Sequence, residues 1–178
     1  MKSVVLVSGG MDSFLAAHKF PKAKRLFINY GQPYLSLERK AVHKQFSSFE
    51  EIKVSGFPEL DSVYVPARNL FFATIAVRFG SFIIMGATKS EQTHDKTPAA
   101  FEKMSEILTE FSKKKVVVHS PFWSISKLEA ALGFLKNGGS MMDLEKTVSC
   151  YSMGSRHCGK CNACVRRNAI FKRIRENI

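Results

Sequence analysis

Short apolar runs alternate with longer helix-forming segments along most of this chain. The apolar runs predict buried strands at residues 4–7, 26–28, 81–85 and 116–118, with a weaker strand at 51–54. The longer segments predict helices at residues 12–20, 35–46, 70–79, 99–113 and 126–136. In the fourth helix the apolar spacing of three and four residues is clearest, at Phe101, Met104, Ile107, Leu108 and Phe111. Repeated strand–helix units of this length indicate an α/β fold, a doubly wound parallel sheet with helices on both faces.

Four polar or glycine-containing loops are predicted at one edge of this sheet. They read SGGMDS at 8–13, NYGQ at 29–32, VPARN at 65–69 and GATKSE at 86–91. In doubly wound sheets, ligands bind beyond the carboxyl ends of the strands. We therefore expect these loops to contribute to a single site.

The SGGMDS loop has the features of an anion-binding turn. Two glycines allow a tight turn whose N–H groups face an anion, and the helix that starts near Asp12 adds its partial positive end. No lysine follows the glycines, as it would in a Walker loop. A carboxylate beside phosphates is repulsive unless a cation lies between them, so Asp12 implies Mg²⁺.

All four cysteines of the chain lie close together near its end. Cys150, Cys158, Cys161 and Cys164 follow the pattern C-x7-C-x2-C-x2-C. Four thiolates at these spacings suit a tetrahedral structural Zn²⁺, and an iron–sulfur cluster is the less favoured alternative. The composition changes near residue 140, where this basic tail begins. We expect a nucleotide-binding α/β domain at 1–140 and a small zinc-binding tail with a C-terminal helix at 141–178.

Composition and charge limit the classes of function. No apolar stretch is long enough to span a bilayer, and the first residues lack a signal-peptide pattern, so we expect a cytoplasmic protein. The net charge of +12 favours anionic partners such as nucleotides, pyrophosphate or nucleic acid. A solvated basic surface accounts for that charge equally well.

The motifs together resemble a known family. SGGxDS after a first strand resembles the PP-loop of the ATP pyrophosphatases. SGGMDS, NYGQ, VPARN, SPFWSISKLE, TVSCY and CGKCNACVRRNAIF occur in the order seen in the 7-cyano-7-deazaguanine synthases. The resemblance extends from Ser8 to Phe171, in a chain that looks short for the family.

This resemblance implies an ATP-dependent C–N ligase. Such enzymes convert 7-carboxy-7-deazaguanine and ammonia to the nitrile through adenylated intermediates, and they form AMP and pyrophosphate. The implied cofactors are Mg²⁺ with ATP and a structural Zn²⁺. The implied assembly is a homodimer, and nucleic acid is a less favoured partner.

The resemblance also assigns roles to individual residues. The implied ATP-binding residues are Val7, Ser8, Gly9, Gly10, Met11, Asp12, Ser13, Arg68 and Gly86. Asp12, Arg68 and Lys127 are the implied catalytic residues. Tyr30, Gln32 and Asp95 are the implied substrate-binding residues. Glu38, six residues past Gln32, either faces the site or is an ordinary solvated helix residue.

One segment departs from the family pattern. Relatives typically carry a YPDCR-like sequence that meets the deazaguanine, whereas this chain reads THDKTPAAF, with Lys96 and Thr97 in place of Cys and Arg. Asp95 either contacts the guanine-like edge or caps the helix that begins near Pro98. The alternatives are an amide-forming variant that acts on a related deazapurine, a PP-loop tRNA-modifying enzyme, and a non-enzymatic zinc-knuckle protein that binds nucleic acid.

Overall fold

The fold is a five-stranded parallel sheet between two layers of helices. The structure is a computed structural model that describes residues 1–56, 65–89, 94–152, 154 and 156–178. The strands are β1 (Ser3–Val7), β2 (Lys24–Asn29), β3 (Glu50–Lys53), β4 (Phe82–Ile84) and β5 (Val117–His119). The helices are α1 (Met11–Lys19), α2 (Leu35–Gln45), α3 (Arg68–Ala76), α4 (Pro98–Ser112), α5 (Lys127–Lys136), α6 (Met141–Glu145) and α7 (Asn162–Arg175).

The strand order is β3-β2-β1-β4-β5, and every neighbouring pair is parallel. Val5 of β1 is paired with Arg25 on one side and with Ile84 on the other. The chain moves outward from β1 to β3 and then returns to the other side of β1 with β4. The reversal places the topological switch point between β1 and β4, where such sheets bind ligands. The predicted doubly wound fold is confirmed.

Alternate residues of the central strands β1, β2 and β4 enter two separate cores, as expected for a sheet buried on both faces. Val5, Phe27 and Ile84 belong to the core that is covered by α1, α2, α5 and α7. Val4 and Ile83 belong to the core that is covered by α3 and α4. Within the described parts of the chain, no helix has the length and apolarity that a membrane span requires.

The apolar face of α4 is narrower than its sequence predicts. Phe101, Met104 and Leu108 are buried against the sheet, but Ile107 is 45% exposed and Phe111 is 83% exposed. The last two were expected to share the buried stripe. They lie one turn apart on its flank, where the sheet does not cover them.

The tail is packed against the main sheet. Leu144 of α6 and Phe171 and Ile174 of α7 are buried in the same core as α1 and α5. This packing sets α7 beside α5, next to the loop that follows β1. The division of the chain at residue 140 stays a prediction.

Candidate active site and metal centre

Two cavities meet beyond the carboxyl ends of the central strands. The inner cavity, of about 220 Å³, lies over the ends of β1, β2 and β4 and is bounded by Asn69, Phe72 and Phe101. The outer cavity, of about 410 Å³, lies between the loop after β1, the start of α5 and one side of α7. Of the residues that the structure describes, those that line both cavities are Ser8, Tyr34, Glu38, Lys96 and Tyr151. We call this shared zone the junction.

The two glycines of the phosphate loop, residues 8–13, have different roles. Gly9 has a φ of +76°, and a Cβ there would lie 2.9 Å from the Cβ of Ala41 and 3.0 Å from the carbonyl oxygen of Glu38. Only glycine therefore fits at position 9. Gly10 precedes α1, and its carbonyl accepts the first helical hydrogen bond, from the N–H of Phe14 at 3.0 Å.

The two serines hold the phosphate loop in shape. The N–H of Ser8 donates to Oγ of Ser13 at 3.1 Å, and that hydroxyl donates to the carbonyl of Gly10 at 3.0 Å. The first N–H groups of a helix have no acceptor within the helix. In α1 these are the N–H groups of Met11, Asp12 and Ser13, which belong to the loop itself, so the main chain offers an anion-binding end beside the outer cavity.

Two distant parts of the chain brace this loop through Gly9. Its carbonyl accepts a hydrogen bond from the N–H of Val148 at 2.9 Å and another from Nε2 of Gln45 at 2.7 Å. Val148 lies in the tail, and Gln45 is the last residue of α2. The tail therefore contributes to the shape of the phosphate loop.

Gly86 has a packing role that the sequence did not reveal. A Cβ at this position would lie 2.5 Å from the carbonyl carbon of Asp12 and 2.8 Å from the N–H nitrogen of Ser13. The end of β4 thus contacts the start of α1 backbone to backbone. Gly86 and the buried Val7 both line the inner cavity. Their contact with ATP stays a prediction.

Asp12 and Lys127 meet at the outer cavity. Nζ of Lys127 lies 3.1 Å from Oδ2 of Asp12, and both side chains are largely buried. Lys127 is the first residue of α5, directly after Ser126. Oγ of Ser126 accepts from the N–H of Glu129 at 3.2 Å, and the Glu129 carboxylate accepts from the N–H of Ser126 at 2.7 Å. This capping box fixes the start of α5 and with it the position of Lys127.

Glu38 is a half-buried carboxylate at the junction. Its Oε2 accepts a hydrogen bond from Nε2 of Gln32 at 2.7 Å, and Oε1 of Gln32 accepts from the N–H of Tyr30 at 3.1 Å. Burial raises the pKa of Glu38 to about 7, although the bond from Gln32 and the charge of Arg68 oppose this shift. The sequence left two interpretations of Glu38 open, and the structure places this side chain where the two cavities meet. Gln32, predicted to bind substrate, orients this carboxylate.

Arg68 and two tyrosines line the inner cavity together with Glu38. Arg68, the first residue of α3, lines the inner cavity with its guanidinium 5.9 Å from the ring centroid of Phe72. The hydroxyls of Tyr30 and Tyr34 lie 3.4 Å apart. Burial raises the pKa of Tyr34, so its hydroxyl remains protonated at neutral pH. These side chains therefore offer hydrogen-bond donors and one cation.

The segment that departs from the family pattern is partly described. Thr97 caps α4, because its Oγ1 accepts from the N–H of Ala100 at 3.1 Å. The N-cap of α4 is therefore Thr97, and not Asp95 as one of the two interpretations of Asp95 proposed. Lys96 lines both cavities, whereas Asp95 is half-buried and is not among the described residues that line either one. Residues 90–93, which include Thr93 and the end of the GATKSE loop, lie outside the described residues.

The four cysteines converge on one point. The sulfurs of Cys150, Cys158, Cys161 and Cys164 all lie within 4.8 Å of one another. The N–H of Cys158 donates to the sulfur of Cys150 at 3.4 Å, and the N–H of Cys161 donates to the sulfur of Cys158 at 3.3 Å. Zinc–sulfur bonds of about 2.3 Å in a tetrahedron separate the sulfurs by roughly 3.8 Å. The sulfurs of Cys158 and Cys164 are 3.9 Å apart, so the cluster fits such an ion.

The tail adds cations that the sequence did not assign to the site. Arg166, Arg167 and Arg173 of α7 line the outer cavity together with Lys127. Arg166 and Arg173 are seven residues apart and therefore share a face of α7. That spacing is visible in the sequence, but only the packing of α7 beside α5 shows that this face meets the phosphate loop.

Comparisons with known proteins agree on one family. Residues 47–175 match the family model described as queuosine biosynthesis protein QueC. The chain is 30% identical to the 7-cyano-7-deazaguanine synthase of Methanococcus maripaludis, with 97% of this chain and 94% of that protein covered. It is 29% identical to the synthase of Psychromonas ingrahamii, with 96% and 92% covered. The aligned regions, of 223 and 210 positions, exceed the 178 residues of this chain, so these relatives carry additional segments.

One solved structure has a similar fold. It is described as a predicted subunit of tRNA methyltransferase from Methanocaldococcus jannaschii, and it superposes with a TM-score of 0.53 over 88% of this chain and 94% of the other. The two sequences are 14% identical, so this likeness concerns the fold alone.

Proposed function

This chain belongs to the family of the queuosine biosynthesis protein QueC, and on that premise we propose that it is an ATP-dependent 7-cyano-7-deazaguanine synthase. Its substrates are 7-carboxy-7-deazaguanine, ammonia and ATP, and its products are the nitrile, AMP and pyrophosphate. The observation that carries the proposal is the braced phosphate loop at the switch point, where it opens onto two joined cavities.

ATP takes the inner cavity and the phosphate loop. The inner cavity lies over the strand ends and has apolar walls that suit a purine ring. From there a nucleotide passes Ser8 to reach the N-terminal end of α1. The N–H groups at that end receive the β- and γ-phosphates as a departing pyrophosphate. The α-phosphorus then lies at the junction, beside the second cavity.

Asp12 and Lys127 handle charge at the phosphates. Asp12 is the residue that would hold Mg²⁺, and this ion would neutralise charge on the leaving pyrophosphate. The carboxylate and the ammonium group are already 3.1 Å apart, so the site alternates negative and positive charge where phosphates enter. Arg68 faces the nucleotide from the inner cavity. Each of these groups acts by orientation and charge stabilisation.

The deazapurine carboxylate takes the outer cavity. Lys96, Lys127, Arg166 and Arg173 line this cavity, and their charge suits an anionic substrate. The ring of Tyr151 stands at the junction, 5.8 Å from the ring of Tyr34, and offers an aromatic face for the deazapurine. The predicted contact of Asp95 with the guanine-like edge stays part of this proposal.

The reaction proceeds through two activations. The substrate carboxylate attacks the α-phosphorus, pyrophosphate leaves, and ammonia displaces AMP from the acyl adenylate to give the amide. The amide oxygen then attacks the α-phosphorus of a second ATP, and pyrophosphate leaves again. Loss of two protons from nitrogen and of AMP from carbon gives the nitrile. Each nitrile formed therefore consumes two ATP.

A zinc ion in the tail is the second part of the proposal. The four thiolates would hold it, and it would supply a fixed cross-link between Cys150, Cys158 and the start of α7. The N–H groups that donate to sulfur support this assignment, because they stabilise thiolates. The tail braces Gly9, so the zinc has a structural role that reaches the phosphate loop.

The assembly and the location of the enzyme are part of the same proposal. Ile107 and Phe111, exposed one turn apart on α4, give an apolar contact for a homodimer. Light scattering at several protein concentrations tests this, with Phe111→Ser expected to shift the mass toward a monomer. A cytoplasmic location follows from the requirement for ATP.

Product analysis tests the proposed activity. Purified protein is incubated with ATP, Mg²⁺, ammonium and 7-carboxy-7-deazaguanine, and the products are identified by mass spectrometry. The proposal requires 7-cyano-7-deazaguanine together with two AMP for each nitrile. The amide as the final product, with one AMP, identifies the amide-forming variant. No AMP with the deazapurine, but AMP with tRNA, identifies the tRNA-modifying alternative.

A further inference from the structure

We propose that the carboxylate of Glu38 accepts the protons that leave the substrate nitrogen when the amide becomes the nitrile. This inference rests on the proposed function and assigns a base to its second half.

The chemistry of that step requires a base. After the amide oxygen has displaced pyrophosphate from ATP, the nitrogen carries two protons and the carbon carries the adenylate oxygen. One proton leaves to give a neutral imidate. The second proton and the AMP then leave together, and the C–O bond breaks as the C≡N bond forms. Two protons must therefore be removed at the nitrogen, close to the α-phosphorus.

The position of Glu38 meets this requirement. The inner and outer cavities share only a few of the described residues, and Glu38 is one of them. With ATP in one cavity and the deazapurine in the other, the bond between carbon and AMP lies at this junction. Of the described side chains that line both cavities, Glu38 is the carboxylate; the others are Ser8, Tyr34, Lys96 and Tyr151.

The surroundings of Glu38 orient its carboxylate. Gln32 donates to Oε2 at 2.7 Å and is itself fixed by the N–H of Tyr30 at 3.1 Å. Gln32 is thus the positioning residue for this base. The amide of Gln32 occupies one lone pair of the carboxylate, and the second oxygen remains for another donor.

The charged and titratable groups that face Glu38 come from several elements. They are Tyr30 and Tyr34 after β2, Arg68 of α3, Lys96 before α4 and Tyr151 of the tail. Burial is the largest influence on the carboxyl and raises its pKa to about 7, and Arg68 opposes that rise. A base with a pKa near the working pH both removes and releases protons readily.

The test compares the two half-reactions in wild-type protein and in Glu38→Gln. Gln keeps the shape of the side chain and an oxygen that can accept the bond from Gln32, so the fold is preserved. We expect conversion of the amide to the nitrile to slow by about 100-fold or more, the usual scale for loss of a general base. The amide should accumulate, while the KM for ATP changes little. Glu102→Gln, an exposed acid on α4, is the matched control and should turn over like wild type.

The pH profile gives a second, independent readout. In wild-type protein, the rate from amide to nitrile should fall as the pH drops through about 7, where the carboxylate of Glu38, with its raised pKa, becomes protonated. The Gln variant should lack that step. Glu38→Asp, which keeps a carboxylate at a shorter reach, should retain part of the rate and the pH step.

Two outcomes overturn the inference. One is a Gln variant that makes the nitrile at the wild-type rate. The other is a wild-type profile with no step near pH 7, a result that stands even if the variant fails to fold. Failure of the proposed function looks different, because wild-type protein would then form neither nitrile nor AMP from 7-carboxy-7-deazaguanine.

Discussion

At the scale of single residues, the side chains and the main chain of the phosphate loop have different roles. Ser8 and Ser13 hydrogen-bond within the loop, so their hydroxyls maintain its shape. The N–H groups at the start of α1 are left to meet an anion. Asp12 is the side chain of the loop that faces Lys127 and the outer cavity. The loss of its charge should therefore affect chemistry more than folding.

Asp12→Asn tests the role of the Asp12 carboxylate. The amide keeps the shape of the carboxylate, so the melting temperature should change little. Formation of AMP should fall by about 100-fold, the scale of losing one charge-stabilising contact in a transition state. Asp143 of α6 forms an exposed ion pair with Lys146. Asp143→Asn, which removes the same kind of charge, is the control and should keep full activity. Turnover of Asp12→Asn near the wild-type rate would refute a role for this carboxylate in holding Mg²⁺.

Glu38 should make stability depend on pH. Its pKa rises from 4.5 to about 7 on folding because burial disfavours the charged form. A raised folded-state pKa gives stability that is complete below the unfolded value and is lost as the pH rises through the folded value. Wild-type protein should thus lose stability between about pH 4.5 and 7 relative to Glu38→Gln.

Urea unfolding of both proteins across that pH range measures the difference in the free energy of unfolding. The stability lost by wild type should approach, and not exceed, roughly 1.4 kcal/mol for each pH unit between the unfolded and folded pKa values of the carboxyl. A difference between the two proteins that does not change with pH contradicts the raised pKa.

At the scale of elements, the starts of helices position the site. α5 begins with a capping box, and its first residue is Lys127. α3 begins with Arg68, after Ala67 in the left-handed region with a φ of 54°. Both helices therefore deliver a cation at a fixed position where the sheet ends. Changes to a cap should act on the site through the helix.

Ser126→Ala removes one half of the capping box. We expect a loss of about 1 kcal/mol in the free energy of unfolding, typical of a lost serine cap. For a protein of this size this corresponds to a fall of about 2–4 °C in melting temperature. The KM for ATP should rise as well, because Lys127 is less well held. Ser48→Ala, in the exposed loop before β3, is the control for both measurements. An unchanged melting temperature would show that the cap contributes nothing.

Gly86→Ala tests the backbone contact between β4 and α1. The new methyl would lie 2.5 Å from the carbonyl carbon of Asp12, and the backbone there cannot move without displacing the phosphate loop. We expect destabilisation of about 2 kcal/mol or more, as for other overpacked sites. Gly133→Ala is the matched control, because nothing lies within 4 Å of a Cβ in that turn of α5. It should stabilise the protein by up to about 1 kcal/mol, since alanine favours helices.

The same elements show which features of the structure could be predicted from the sequence and which could not. Alternating apolar runs were enough for the parallel sheet, because buried strands and amphipathic helices have distinct periods. The SGGMDS motif located the phosphate loop. Glu38 stayed undecided, because an acid in a helix is usually solvated and only the turn with Gln32 buries this one. Phe111 was placed wrongly, because the apolar period continues beyond the part of α4 that the sheet covers.

At the scale of the whole molecule, a series of contacts links the cysteine cluster to the sheet and to the phosphate loop. The cluster includes the N-cap of α7, Cys161, and a residue of its first turn, Cys164. Phe171 and Ile174 of the same helix lie in the main core. Arg167 of the same helix donates to the carbonyls of Glu145 and Thr147 at 3.2 and 3.1 Å. Val148 follows at once and binds Gly9. Disruption of the cluster should therefore weaken the hydrogen bond that Val148 makes to Gly9 and alter the shape of the phosphate loop.

Metal removal tests this connection. Purified protein should contain about one zinc per chain by elemental analysis, as a four-cysteine site predicts. A strong chelator, or Cys158→Ser, should lower the melting temperature of the whole protein and weaken ATP binding, because metal binding supplies folding free energy. Readdition of zinc to the chelated wild type, but not to the variant, should restore both. Iron in place of zinc, or a folded metal-free protein with unchanged ATP affinity, contradicts the proposal.

The hydrogen bond between Val148 and Gly9 also sets the order in which the enzyme becomes competent during synthesis. The ribosome makes the phosphate loop among the first residues and makes its brace more than a hundred residues later. The cysteine cluster that anchors the brace emerges later still. A nascent chain in which residue 148 has not yet been made therefore lacks one of the two hydrogen bonds that hold the carbonyl of Gly9. The phosphate loop reaches the shape described here only after the tail has been made and has packed against it.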